Sequence, residues 1–240
     1  GLTEAEVSGA LLCLDVTERV VDEAITKGCN LIVAHHPLIF RKLSQVTDAN
    51  YVQRTVIKAI KNDIVIVAMH TNLDAAFGGV NFKIAEKLRL RDVRFFGREK
   101  VVTNPLTDKK VTGGDGVIGC FDTPLAADDL ILLLKKEFDV ECVQANELLR
   151  REIQTVALCG GSGSFLLQDA INAGADAFIT GEMGYHEFFG HEQEIQLCVI
   201  GHYQSEQYTT EVLRDVIERD CPGVKCCISE INTNPIVYFS

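Results

Sequence analysis

Residues 10–36 read ALLCLDVTERVVDEAITKGCNLIVAHH, and this stretch decides the fold class. The apolar run 10–16 predicts a buried strand, and Thr17 can cap a helix over residues 18–27 that Gly28 would end. A second apolar run at 30–34 predicts another strand. Short apolar strands separated by an amphipathic helix are typical of parallel βαβ units. We therefore expect an α/β fold.

The same alternation extends over a first α/β half, residues 1–90. Helices are predicted near 51–61 and 80–88, and a strand is predicted at 64–69. A second α/β half is predicted over residues 151–240, where strands and helices alternate again from Thr155. Residues 22–34 and 168–180 align without gaps as helix, glycine and buried strand. Either a duplication or ordinary βαβ construction would produce this match.

The segment between the halves, residues 91–150, is predicted to be a small α+β connector without a large insertion. Residues 91–116 are interpreted as irregular or hairpin-like because they contain a glycine cluster at 113–116. A strand at 117–121, a helix at 125–138 capped by Thr123 or Pro124, and a strand at 140–145 are predicted to follow.

Composition limits the classes of partner. The net charge of −11 argues against nucleic acid, which requires clustered Lys and Arg. No apolar run approaches the ~20 residues of a membrane helix, so no membrane partner is expected.

The nine cysteines form no C-x-x-C pair and lie mostly in apolar runs. Free thiols in a reducing, cytoplasmic setting explain them better than disulfides.

Polar residues collect where four predicted strands end. Five of the six histidines lie there, with acidic neighbours. The four sets are His35 and His36; His70 and Asp74; Glu182 and His186; and His202 and Glu206. Open α/β sheets bind ligands beyond the carboxyl ends of their strands, and imidazole and carboxylate are metal ligands. A metal site is favoured over unrelated polar loops. The donors oversupply one ion, so two divalent cations (Zn, Fe, Mn or Co) fit better.

A glycine-rich turn, Cys159 to Ser164, lies between a predicted strand and a predicted helix at 165–173. Gly160, Gly161, Ser162 and Gly163 would let a phosphate approach the backbone and bind the helix start. The alternative is a tight strand-to-helix turn capped by Ser162 or Ser164.

Six ordered motifs carry a family resemblance. They are Leu14–Thr17, Ala34–Phe40, His70–Asp74, Cys159–Gly163, Ile179–Glu182 with Tyr185 and His186, and Gly201–Glu206. The chain resembles the GTP cyclohydrolase I type 2 homologs, also called the Nif-three-like family, over nearly all its length. The resemblance implies a layered α/β fold, a toroidal homohexamer and a dinuclear metal centre. The ligands it implies are His35, His36, Asp74, His202 and Glu206, with Glu206 as the bridge.

The resemblance also implies a reaction. His70, Glu182 and His186 match positions that line the pocket, and His186 or Glu182 is a candidate proton carrier. The family label implies hydrolysis at C8 of the guanine ring of GTP with release of formate. More broadly, we expect a metal-dependent hydrolase of a small nucleotide-like or phosphorylated substrate. A phosphoesterase and a non-enzymatic metal-binding scaffold or regulatory protein are the alternatives.

Overall fold

The computed structural model describes residues 1–104 and 107–239 as ten strands and eight helices. In chain order they are β1 (Ala10–Cys13), α1 (Glu18–Thr26), β2 (Leu31–Ala34), α2 (Tyr51–Lys61), β3 (Val65–Ala68), α3 (Thr71–Asp74), α4 (Val80–Lys87), β4 (Arg91–Thr103), β5 (Lys110–Leu125), α5 (Ala127–Phe138), β6 (Gln144–Ala145), β7 (Ile153–Cys159), α6 (Leu167–Asn172), β8 (Ala177–Thr180), β9 (Gln196–Val199), α7 (His202–Glu206), α8 (Thr209–Asp220) and β10 (Cys226–Ile228). Short 3₁₀ turns lie at Ser164–Leu166 and Tyr185–Phe188.

The chain forms two compact units. The first comprises Gly1–Thr71 and Thr209–Val237, and the second comprises Asn72–Tyr208 with residues 238 and 239. These bounds differ from the predicted division at residues 90 and 150. That three-part division stays a prediction about the organisation of the sequence.

The first unit is built on a four-stranded parallel sheet in the order β10-β1-β2-β3. Ala10 of β1 pairs with Leu31 of β2 on one side and with Cys226 of β10 on the other. As predicted, Thr17 caps α1, because its side chain accepts a hydrogen bond from the backbone N–H of Val20. The apolar face of α1 is buried in the core of this unit. The predicted βαβ unit is confirmed.

The second unit is built on a six-stranded mixed sheet in the order β4-β5-β7-β8-β9-β6. Strands β7, β8 and β9 are parallel, whereas β4, β5 and β6 join them through antiparallel pairs. The strands β7, β8 and β9 are almost wholly buried, with Phe178 and Leu158 fully enclosed. The α/β fold class is confirmed, with this mixed sheet as its less regular part.

The glycine-rich segment confirms one of its two sequence-based interpretations. Of the irregular and hairpin-like alternatives for residues 91–116, the hairpin is confirmed, because β4 and β5 are two long antiparallel strands. A Cβ added to Gly114 would lie 2.7 Å from the ring of Phe95, and one added to Gly116 would lie 2.5 Å from the ring of Phe96. Glycine is therefore required in β5 because aromatic rings of β4 occupy the space of its side chains.

Smaller corrections concern the elements that follow the hairpin. Helix α5 begins at Ala127, and no side chain caps it, so the predicted cap at Thr123 or Pro124 is wrong. The strand predicted at 140–145 is reduced to the two residues of β6. All nine cysteines are free thiols. Within the described part of the chain, no helix has the length and apolar character needed to cross a membrane.

The aligned stretches 22–34 and 168–180 have the same layout in the structure. Each contains the end of a helix, a glycine with positive φ and a buried strand: α1, Gly28 and β2 in the first unit, and α6, Gly174 and β8 in the second. In each unit this places the residues that follow the strand at the carboxyl edge of parallel strands. His35, His36 and Glu182 follow β2 and β8 at these edges.

Candidate metal centre

Three imidazoles lie together at the end of the parallel sheet in the first unit. His35 and His36 follow β2 directly, and their backbone N–H groups continue the ladder to the carbonyls of Cys13 and Leu14. His70 follows β3. The ring centroids are 4.8 Å apart for His35 and His36, 5.2 Å for His35 and His70, and 5.4 Å for His36 and His70. One nitrogen of each ring lies within 4.8 Å of the others, a spacing that could hold a metal ion.

The protonation of His35 follows from its backbone partner. Its ring is fully buried, and Nδ1 lies 2.9 Å from the carbonyl oxygen of Met69. A carbonyl only accepts hydrogen bonds, so Nδ1 carries the proton and donates. In the neutral ring, Nε2 then keeps its lone pair and is the nitrogen able to bind a metal.

The carboxylate of Asp15 fixes the tautomer of His36 in the same way. Nδ1 of His36 lies 2.8 Å from Oδ1 of Asp15, which comes two residues after β1. The second carboxylate oxygen of Asp15 accepts a hydrogen bond of 2.7 Å from the hydroxyl of Thr233. Carboxylate partners of this kind orient the imidazole and raise its basicity as a ligand.

The second unit brings together acidic groups and one imidazole. After β9, Gly201 adopts φ of +95° and α7 begins at His202. The predicted helical spacing is confirmed: Nε2 of His202 lies 3.2 Å from Oε2 of Glu206. Glu206 is 4% exposed, and one of its carboxylate oxygens lies within 4.8 Å of one from Asp74, at the end of α3. Two carboxylates this close repel each other, and a bound cation would relieve the repulsion.

His202 has a second acidic neighbour, Glu182, just beyond β8. Nδ1 of His202 lies 2.9 Å from Oε1 of Glu182, and Oε2 of Glu182 accepts a short hydrogen bond from the hydroxyl of Ser162. The hydrogen bond from Ser162, followed by the charge of His202, lowers the pKa of Glu182 against the opposing effect of burial. The hydrogen bond to Glu206 raises the pKa of His202, with burial opposing and Glu182 assisting.

The glycine-rich turn contacts this cluster through its backbone. The N–H groups of Gly160, Gly161 and Gly163 donate to the side chains of Asn81, Ser205 and Thr180, at 2.9, 3.0 and 3.1 Å. A Cβ on Gly161 would come 2.4 Å from Oε1 of Glu206. These contacts favour the structural alternative, a tight turn against Glu206, although no side chain caps it and the predicted caps at Ser162 and Ser164 are wrong. Phosphate binding by the turn stays a prediction.

Comparison with known proteins decides the family. The model of the family described as DUF34/NIF3 (NGG1p interacting factor 3) matches residues 1–235. The chain belongs to the DUF34/NIF3 family. A Clostridium perfringens protein named GTP cyclohydrolase 1 type 2 homolog is 32% identical over 242 residues, covering 100% of this chain and 89% of that protein. The NIF3-like protein 1 of Drosophila melanogaster is 28% identical, covering 98% of this chain and 78% of that protein.

Solved structures share the fold of this chain. A hypothetical protein of Staphylococcus aureus superimposes with a TM-score of 0.87 at 28% identity, covering 100% of this chain and 90% of that one. A Bacillus cereus protein related to NIF3 superimposes with a TM-score of 0.85 at 24% identity, covering 100% and 91%. The family model that matches residues 1–235 confirms the family resemblance inferred from the ordered motifs.

The structure brings most of the predicted site residues together but leaves one of them apart. In the first unit, His35, His36 and the predicted pocket residue His70 form one group. In the second, Glu206 lies close to Asp74 and to His202, and His202 also contacts Glu182. His186 lies in the exposed 3₁₀ turn after β8, where its ring contacts those of Tyr185 and Phe189. Within the described residues, His186 belongs to no group of metal donors.

Sequence reasoning missed the residues that hold the donors in place. Asn81, 1% exposed, donates to the carbonyls of Asp74 and Asp115 at 3.2 Å each while accepting from Gly160. Asp15 was visible only as part of a family motif. Its place after a buried strand, like that of His35, was the signal that could have identified it.

The donors in each unit fit a divalent metal. Neutral imidazole suits Zn, Fe, Mn and Co, and the mixture of imidazole and carboxylate found beside Glu206 suits the same set without choosing among them. Cys159 lies near these carboxylates, but burial first, and the charges of Asp74 and Glu206 next, raise its pKa to about 12. It is a protonated thiol and a poor ligand at neutral pH.

Proposed function

We propose that this NIF3-family protein is a metal-dependent hydrolase whose ligands are His35, His36, Asp74, His202 and Glu206. The observation that carries the proposal is the gathering of donor side chains at the strand ends of each unit. Three imidazoles share one group in the first unit, and an imidazole accompanies two carboxylates in the second. The resemblance adds the assignment of two cations per chain, with Glu206 as their shared ligand.

When bound, such cations lower the pKa of a water ligand and polarise a substrate oxygen. The chain's own groups would handle protons and position the substrate. Glu182 is half exposed, and the hydrogen bond from Ser162 lowers its pKa, so it is an ionised carboxylate at neutral pH. His70 stays a candidate pocket residue through its contact with His35 and His36. His186 stays a candidate proton carrier on the basis of the resemblance alone.

The proposed substrate is a small phosphorylated or nucleotide-like molecule. Support comes from the names of relatives such as the Clostridium perfringens GTP cyclohydrolase 1 type 2 homolog. GTP hydrolysis with formate release is the specific form of this proposal, and phosphoester hydrolysis is the general one. A homohexamer is proposed on the resemblance, and a cytoplasmic location on the free thiols. Light scattering of the purified protein tests the hexamer.

The test is metal analysis combined with a hydrolysis screen. Wild-type protein loaded separately with Zn, Mn, Fe and Co would be offered GTP and a panel of phosphoesters and nucleotides, with formate and phosphate as readouts. Glu206→Ala should lose metal and turnover. Glu194→Ala is the matched control, since Glu194 is a half-exposed acidic residue that pairs only with His191 among the ion pairs found in the described residues.

The outcomes separate the alternatives. Turnover by wild type and Glu194→Ala, but not by Glu206→Ala, supports a hydrolase. Stoichiometric metal with no turnover on any substrate in the panel overturns the hydrolase and supports the metal-binding scaffold. Absence of bound metal from the wild-type protein overturns both.

A further inference from the structure

Two carboxylates that the ligand set leaves out share one arrangement. We propose that Asp15 and Glu182 are positioning residues that each fix one imidazole, His36 or His202, with Nδ1 protonated and Nε2 as the metal-binding nitrogen. Each carboxylate is itself held by a hydroxyl, from Thr233 or Ser162. The inference deepens the proposed function and rests on its metal centre.

We call each series of hydroxyl, carboxylate and imidazole a relay. The first relay, formed by Thr233, Asp15 and His36, lies wholly in the first unit. The Thr233 hydroxyl donates to Oδ2 of Asp15 at 2.7 Å, and Oδ1 of Asp15 accepts from Nδ1 of His36 at 2.8 Å. Since an ionised carboxylate only accepts hydrogen bonds, the proton of the neutral ring must be on Nδ1. Because the hydroxyl occupies the other oxygen, the carboxylate cannot rotate without breaking one of the two bonds.

The second relay lies wholly in the second unit and repeats this order of groups. The Ser162 hydroxyl donates to Oε2 of Glu182, and Oε1 of Glu182 lies 2.9 Å from Nδ1 of His202. Nε2 of the same ring is the nitrogen that faces Glu206, the proposed shared ligand, at 3.2 Å. The ring of His202 is thus held at Nδ1, with Nε2 directed toward a ligand carboxylate.

The relays come from different parts of the fold, which argues against accidental surface pairs. Asp15 and Thr233 follow β1 and β10, neighbours in the parallel sheet, and Ser162 and Glu182 follow β7 and β8, also neighbours. In both cases adjacent strand ends supply the hydroxyl and the carboxylate. The pair His191 and Glu194, at 2.8 Å, has the same imidazole–carboxylate contact within one loop. That pair lies outside the predicted ligand set and serves as a control.

This role differs from that of a proton carrier for Glu182. A carrier must exchange its proton with substrate during each turnover, whereas both oxygens of Glu182 are engaged by Ser162 and His202. A positioning role predicts an effect on metal affinity and on the tautomer of His202 before any substrate is added. Those two properties can be measured without knowing the reaction.

The experiment measures zinc affinity against a chromogenic chelator for the full chain. Asp15→Ala and Glu182→Ala should each weaken zinc binding about tenfold to hundredfold, the range for partners of metal-bound histidines. Thr233→Val and Ser162→Ala should weaken it less, while the conservative Thr233→Ser and Ser162→Thr keep the hydroxyl and should restore near wild-type affinity. Glu194→Ala should bind zinc as wild type does.

The second readout is the tautomer, from two-bond ¹H–¹⁵N spectra of metal-free protein with ¹⁵N-labelled histidine at a pH where both rings are neutral, because zinc bound at Nε2 would by itself place the proton on Nδ1. His36 and His202 should carry the proton on Nδ1 in the wild type, and each should lose that signature only in the variant of its own relay. A general loss of structure would not select one histidine. If Asp15→Ala or Glu182→Ala fails to fold, the comparison of Thr233→Val with Thr233→Ser, and of Ser162→Ala with Ser162→Thr, provides the test.

Failures of the two proposals are distinguishable. Wild-type protein that binds no zinc overturns the proposed metal centre. Wild-type protein that binds zinc, with unchanged affinity and tautomer in Asp15→Ala and Glu182→Ala, overturns the positioning role and leaves the metal centre standing.

Discussion

Replacing Gly161 with alanine should separate a local backbone effect from an effect on the metal centre. Gly161 has φ of +59°, and a Cβ there would lie 2.4 Å from Oε1 of Glu206. Gly174 has φ of +75° and open space around the same position, with no atom within 4 Å. Gly174→Ala is therefore a matched control that shares the backbone strain and lacks the collision.

The expected magnitudes follow from this geometry. A left-handed backbone costs a non-glycine residue about 1–2 kcal/mol, which should lower the Tm of either variant by about 2–8 °C for a chain of this size. Ordinary contact with a Cβ begins at 3.4 Å, so in Gly161→Ala the carboxylate oxygen of Glu206 must retreat by about 1 Å. We expect zinc affinity to fall about tenfold or more in that variant alone, a loss comparable to that caused by disturbing the partner of a ligand.

The assay combines thermal melting of the metal-free proteins with zinc titration against a competing chelator. Similar Tm values with a selective loss of affinity in Gly161→Ala would support the role of the turn in placing Glu206. Wild-type zinc affinity in both variants would refute it, because it would mean that the carboxylate can move by this distance without consequence for the metal.

Four further predictions test other parts of the molecule. His35→Ala or Asp74→Ala should lose metal in elemental analysis while keeping the wild-type circular dichroism spectrum; retention of two metals per chain would contradict the ligand set. Cys159→Ser should leave the metal content unchanged, and a drop would mean that the thiol is a ligand. The raised pKa of His202 gives the metal-free protein stability that is complete below pH 6.5 and lost as the pH rises through the raised value, so Tm should fall over that interval in the wild type but not in His202→Asn. Asn50→Ala removes the cap of α2 and should cost about 1 kcal/mol without changing zinc affinity, and an effect on affinity would show that α2 is coupled to the centre.

Local patterns predicted the parallel parts of the fold well. Thr17 caps α1 as expected, and α2 spans the predicted residues 51–61. The reason is that βαβ units are specified by neighbouring residues: an apolar run, a cap, an amphipathic helix and a glycine stop. His35 and His36 were identified for the same reason, since they directly follow such a run.

Interactions between distant segments could not be predicted in this way. Asp15 accepts a hydrogen bond from Thr233, which is 218 positions away in the sequence, and Asn81 accepts one from Gly160, which is 79 positions away. No local sequence pattern predicts either contact. The sequence around the glycines of β5 predicts an irregular or hairpin-like segment but not why glycine is needed within a strand, because that reason lies in Phe95 and Phe96 of the partner strand. A glycine that makes room for a ring and a glycine that makes a turn look the same in the sequence.

The pairing of Ala10 with Cys226 has a consequence for synthesis on the ribosome. Translation proceeds from the amino terminus, so β1, β2 and β3 emerge early, but β10 emerges only after every strand of the other sheet has been made. Until β10 is made, the backbone groups on one edge of β1 lack their strand partner. The side chains of β1 are ones that are buried in the finished fold. The nascent chain must therefore carry an unfinished sheet through most of its elongation, which makes this edge the natural place for a chaperone to bind or for early aggregation to start.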